Sequence, residues 1–184
     1  MTGPTRGLFT LACLATLTLS LTACDGSVEG NPSPTTSAGQ GSSSATPPLS
    51  DTPLAGMSSC KTLDQAVAGQ GFPASTPTLA DPEHACESLK AGYGTVGLDL
   101  QDGQSYDTSF SNTDQLVSGN VRKRRAFLEP GINHGTGGCG VSMEVKPKSR
   151  ALVVLTLSSG STDQSCIGAR KVAEAVDLML PSNG

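Results

Sequence analysis

Apolar and polar positions along this 184-residue chain change rhythm several times, and each change marks a segment. Residues 7–21 are uncharged and largely apolar, too short a run for a hydrocarbon core that takes about 20 apolar residues in a helix, and Asp25 ends it. Residues 25–53 then carry little besides Ser, Thr, Pro, Gly, Asn and Ala. Periodicity starts near residue 57. Thr62-Leu63-Asp64-Gln65 matches a capping box, and Leu63, Ala66 and Val67 share one helical face before Gly69 and Gly71 stop a short helix. From Thr95 the period becomes two: Val96, Leu98 and Leu100 alternate with Gly97, Asp99 and Gln101. After Asp102-Gly103, the positions Tyr106, Thr108 and Phe110 alternate again, which predicts a hairpin with an Asp-Gly turn.

Residues 121–129 suggest a further strand whose period is hidden by four successive basic residues. A Gly-rich loop occupies residues 131–140. Val141, Met143 and Val145 alternate cleanly, Pro147-Lys148-Ser149 turns the chain, and residues 151–157 form the continuous apolar run of a central strand. Ser161-Thr162-Asp163-Gln164 supplies a second capping box. Cys166, Ala169, Val172, Ala173, Val176, Met179 and Leu180 then make a stripe at helical spacing, ended by Pro181. These elements predict an α+β fold: an antiparallel sheet of four to five strands, with a short N-terminal helix and a longer C-terminal helix packed on one face.

The N-terminal segments predict an address. Arg6, the apolar run and Leu21-Thr22-Ala23-Cys24 have the order of a secretory leader, and the last four residues resemble the bacterial lipobox. That resemblance implies cleavage after residue 23 and a diacylglyceryl thioether on Cys24, so the membrane is a partner through this anchor. Each buried methylene contributes about 0.8 kcal/mol, and two or three chains on one residue anchor stably where one is marginal. Residues 24–56 are expected to form a disordered stalk, since they hold too little apolar surface to offset ordering. As a flexible coil it spans about 30 Å. The folded domain is expected over residues 57–184, on the extracytoplasmic face of the cell membrane.

Cysteine usage fits an exported chain. With Cys13 in the leader and Cys24 lipidated, Cys60, Cys86, Cys139 and Cys166 remain, an even set that reads as two disulfides. Four cysteines allow three pairings; Cys60 with Cys86 and Cys139 with Cys166 is favoured, because each closes a local loop and staples a helix to a neighbouring strand. Loops of this length are each worth roughly 3.5 kcal/mol on the chain-entropy model. Zinc ligands usually come in close pairs such as C-x2-C, and these four are widely spaced, so no metal site is expected. No cofactor is expected either.

A cysteine opening a short helix in SSCKTLDQAVAGQGF, a second before the first hairpin, then GCGVSMEV, an apolar strand and CIGARKVAEAVDLMLP, all behind a lipobox and stalk, resemble the actinobacterial lipoproteins grouped as domain of unknown function 3558. The resemblance implies the fold, sequential disulfides and an envelope location. It transfers no catalytic residue. The chain departs from that family in having Glu87-Ser88 after the second cysteine and no Trp anywhere.

Residue types argue against catalysis. The two histidines, His84 and His134, are the available bases for a nucleophile, there is no G-x-S-x-G elbow, and the loop GINHGTGGCG lacks the Lys-Ser/Thr of a phosphate loop. Asp99 and Glu144 are candidate acids for glycoside chemistry, but without Trp the usual sugar platform is missing. Charge is uneven within a net of −4: residues 25–114 hold eleven acidic and two basic side chains, residues 115–184 five and nine. Arg122, Lys123, Arg124 and Arg125, with Lys146, Lys148 and Arg150 nearby in sequence, are the candidate contact for an anionic envelope component or an acidic partner protein. Alternation on a strand points at least two of the four away from any shared face. An acidic, exported chain with few aromatics does not suit nucleic acid. The expectation is a non-catalytic binding or interaction module in the cell envelope, with a carrier of a small apolar ligand and an envelope hydrolase as alternatives.

Overall fold

A computed structural model describes residues 52–182 of the chain. The leader, Cys24 and nearly all of the stalk lie outside the described residues. Packing begins slightly earlier than the periodicity suggests: Leu54 is buried, and its amide donates to the Asp102 carboxylate at 3.3 Å. The first helix, α1 (Ser59–Ala66), is capped by Ser58, whose hydroxyl accepts from the Lys61 amide. The expected cap, Thr62, is buried inside the helix. Ser58 offers the same chemistry one turn earlier, and starting there brings Cys60 into the helix while Leu63 and Ala66 turn inward.

The sheet is a correction to the expected four to five strands. Seven strands form it: β1 (Thr76–Pro77), β2 (Ala85–Lys90), β3 (Gly94–Asp102), β4 (Val117–Val121), β5 (Arg124–Pro130), β6 (Gly138–Lys146) and β7 (Ser149–Leu157). All pair antiparallel, in the order β1-β2-β3-β7-β6-β5-β4. The additional strands lie toward the edges and bury little: β1 has two residues, β4 buries Val121 alone, and β2 turns Cys86 and Ser88 inward rather than branched aliphatics. An edge strand with one shallow face has no strong period to read.

The expected hairpin also gives way. β3 ends at Asp102, yet residues 106–110 form no strand, because β3 is already flanked by β2 on one side and by all nine residues of β7 on the other. The segment after Gly103 crosses the face of the sheet opposite the helices. There Tyr106 and Phe110 pack on Phe127, with ring centroids 5.6 and 5.5 Å away. The expected strand over residues 121–129 is divided by a two-residue turn, with Arg122 in the left-handed region at φ 53°.

The core lies between the sheet and the helices. Val96, Leu98, Val141, Met143, Val153 and Leu155 are almost wholly buried against Leu63 of α1 and against Ala169, Ala173 and Val176 of α2 (Thr162–Asp177). Each full burial of such an aliphatic side chain is worth about 1.5–3 kcal/mol. The second helix forms as expected, with both arms of its capping box: the Gln164 amide donates to Ser161 Oγ at 3.2 Å, and the Ser161 amide to Gln164 Oε1 at 2.9 Å. The disulfides are Cys60–Cys86, tying α1 to β2, and Cys139–Cys166, tying β6 to α2. Gly94 allows the closest strand approach: at φ 151°, an added Cβ would lie 2.1 Å from the Thr156 carbonyl.

Candidate binding groove on the helix-free face

Strand alternation sends one set of side chains into the core and the other to the helix-free face. Residues 103–116 cover part of that face. Ser142 Oγ donates to the Tyr106 carbonyl at 2.6 Å, Arg150 Nη1 to the Thr108 carbonyl at 3.2 Å, and the Ser111 and Asn112 amides to Glu129 Oε1 at 2.7 Å each. Over β2, β3 and β7 the face stays open, as a groove of about 250 Å³.

Three register rows floor this groove. Thr95 and Thr156 make the first, Glu87, Gly97 and Val154 the second, Ala85, Asp99 and Leu152 the third. Row spacing along the strands puts about 13–14 Å between first and last. Gly97 supplies depth: a Cβ there would sit 3.6 Å from the Cys86 carbonyl, an ordinary contact, so no steric conflict demands glycine.

Asp99 is the chemically distinctive residue. Its side chain is 17% exposed, its Oδ2 lies 3.5 Å from Arg150 Nη2, and its buried Oδ1 has no hydrogen-bond partner. Burial pushes its carboxyl up to about 6 against the pull of the Arg150 guanidinium, with the Asp81 charge adding to the rise. The guanidinium is itself fixed elsewhere, Nη2 donating to Gln101 Oε1 at 3.2 Å, while Gln101 Nε2 donates to Asp81 Oδ2 at 2.8 Å. Asp81 Oδ1 lies 2.9 Å from His84 Nδ1, a contact that holds the His84 pKa up and the Asp81 pKa down.

The structure separates the basic run. Arg124 is 4% exposed, and its Nε donates to Asp177 Oδ1 at 2.7 Å, its Nη1 to the Glu144 carbonyl at 2.9 Å and its Nη2 to the Pro181 carbonyl at 2.9 Å. Arg125 points to the opposite face, where Nε and Nη2 each meet a Glu144 carboxylate oxygen at 2.6 Å and the guanidinium lies over the Tyr106 ring. Arg122 Nε is 3.3 Å from Asp177 Oδ2. Arg122 and Lys123 stand on the β4–β5 turn beside a broad hollow near the end of α2. The four cations therefore do not share one surface.

The other candidate residues are also dispersed. Glu144 is held by Arg125, and Asp99 stands one register row away on the far side of β7. His134 is exposed on a short 3-10 turn. All four cysteines among the described residues are in disulfides, and no group of three or more His, Cys, Asp or Glu among the described residues is placed to hold a metal ion. No described helix is long and apolar enough to cross a membrane. The open groove was missed because β2, next to the two-residue edge strand β1, buries Cys86 and Ser88 rather than branched aliphatics and so shows no apolar period, and because nothing in the sequence places Asp99, a candidate acid, beside Arg150, a neighbour of the basic run. Comparison with family models, curated proteins and solved structures finds no match.

Proposed function

We propose that this chain is a lipid-anchored lipoprotein on the extracytoplasmic face of the cell membrane, related to the family its motifs resemble, whose domain works by binding rather than by catalysis. The lipobox at Cys24, the Ser/Thr/Pro-rich stalk and the two disulfides support the address. A single observation carries the binding role: over β2, β3 and β7 the helix-free sheet face is left open as a largely apolar groove lined at one end by Asp99, whose buried Oδ1 has no hydrogen-bond partner. Buried polar atoms are generally satisfied, and one lining a groove is a natural point for a ligand to complete.

A small ligand in this groove suits the geometry better than a polyanion on the basic run, because Arg124 is committed to the fold and Arg125 to Glu144. The residues between helix and sheet leave no comparable room: Leu63, Ala169, Ala173 and Val176 are fully buried there. A small-fragment library screened by ligand-observed NMR against the detergent-extracted full chain tests this reading. Fragments that bind the native protein and are lost on Gly97→Val, which fills the groove floor, support it. Fragments that bind both proteins equally, or none that bind at all, refute it.

A further inference from the structure

We infer that the groove takes a small organic cation, a protonated amine on an apolar body, with the ammonium against Asp99 and the body along Gly97 and Val154. This rests on the groove being the binding site and adds the class of ligand. The floor offers two kinds of surface in sequence. Toward one end Val154 and the bare Gly97 backbone present carbon, followed by the Thr95 and Thr156 row with Leu89 62% exposed on the same face, while Leu152 shares the last row with Asp99. At the other end stands a carboxylate whose one ion pair is long, at 3.5 Å, and whose second oxygen has no partner.

Charge favours a cation over an anion. Facing Asp99 are Arg150 from β7, Asp81 and His84 from the turn before β2, and Glu87 from β2 across the groove. Near the groove, Asp99, Asp81 and Glu87 thus set three carboxylates against two basic groups: Arg150, which donates to Gln101 and the Thr108 carbonyl, and His84, whose ring lies against Asp81. An ammonium beside Asp99 would supply the donor this carboxylate lacks. Hydrogen bonds to a charged acceptor are worth about 1.5–3 kcal/mol, so a neutral ligand of the same shape should bind ten- to a hundredfold more weakly. Nothing in residues 25–60 competes from within the chain, since that stretch contains no Lys or Arg.

The test is titration of the isotope-labelled, detergent-extracted full chain with butylammonium chloride and with butan-1-ol, read at the Gly97 and Val154 amide resonances. Butylammonium is expected to shift both signals with at least tenfold tighter binding than the alcohol, and Asp99→Asn to remove that advantage. Because the probe stays protonated while Asp99 titrates about 6, its affinity should fall roughly tenfold between pH 7 and pH 5, which needs no variant. Equal binding of amine and alcohol, undiminished binding to a folded Asp99→Asn protein, or pH-independent binding overturns the amine while leaving the groove as a site. Absence of shifts with either probe overturns both readings.

Discussion

Replacing Arg124 by alanine is expected to be among the most damaging single changes to this domain, and the same change at Arg125 among the mildest. Arg124 is 4% exposed and its guanidinium joins three elements: β5 through its own backbone, β6 through the Glu144 and Val145 carbonyls at 2.9 and 3.4 Å, and the end of α2 through Asp177 and the Pro181 carbonyl. Truncation leaves those carbonyls without their charged donor and Asp177, 12% exposed, with Arg122 alone at 3.3 Å. Breaking one side of a buried pair costs about 3–5 kcal/mol. Urea unfolding of the disulfide-intact chain reads this directly. With a slope of about 1.5 kcal/mol per molar for a domain of this size, the midpoint should fall by about 2–3 M. Arg124→Lys keeps the charge, but an ammonium cannot span the same oxygens, so roughly half of the loss should remain. Arg125 is exposed, its pair with Glu144 is screened by water, and Arg125→Ala should move the midpoint by a small fraction of that amount. Equal midpoints for Arg124→Ala and Arg125→Ala would refute the assignment of one residue to the fold and the other to the surface.

Asp99 should give stability an inverted pH dependence. Its folded value of about 6 lies above the ordinary 3.8, so the unfolded chain ionises first and this residue's contribution is lost as pH rises from about 4 through 6, by on the order of 2 kcal/mol. Urea midpoints at pH 4.5 and 7 should differ less in this adverse sense for Asp99→Asn than for the native chain; identical pH slopes would count against the burial argument. Replacing Cys139 and Cys166 together by serine opens a loop of sequence separation 27 and should cost roughly 3.5 kcal/mol, and the Cys60/Cys86 pair, at separation 26, a similar amount; a loss under about 1 kcal/mol in denaturant titrations would contradict the stapling role. Gly94→Ala, whose Cβ would meet the Thr156 carbonyl at 2.1 Å, should lower the melting temperature sharply, while Gly97→Ala, with its nearest contact at 3.6 Å, should leave it nearly unchanged. Comparable melting of the two variants would overturn that contrast.

Several parts of this protein were legible in the residue pattern because the local signal and the tertiary role coincide. The second helix carries its own capping box and a full apolar stripe, so it stands in the structure much as it reads. β3, β6 and β7 occupy the middle of the sheet, where burial imposes strict alternation or a continuous apolar run, and they were visible for that reason. The α+β class and the two local disulfides follow from the same evidence. The proposed membrane address rests on sequence alone, since the leader and Cys24 are not among the described residues.

Other features were settled by neighbours distant in the chain. Residues 106–110 alternate like a strand, yet both edges of β3 are taken, so their aromatics are used to cover the polar face of β5 and β6. Arg124 and Arg125 are identical in type and adjacent in sequence, and the pleat alone sends one inward to the end of α2 and the other outward to Glu144. Asp99 reads as a polar strand position and a candidate acid, but its raised carboxyl comes from burial, opposed by Arg150 and reinforced by Asp81, and only the folded register supplies that burial and those neighbours. Periodicity in a sequence reports which side of an element is buried. It does not report which surface does the burying, and in this domain that second fact decides both the groove and the fate of each charge.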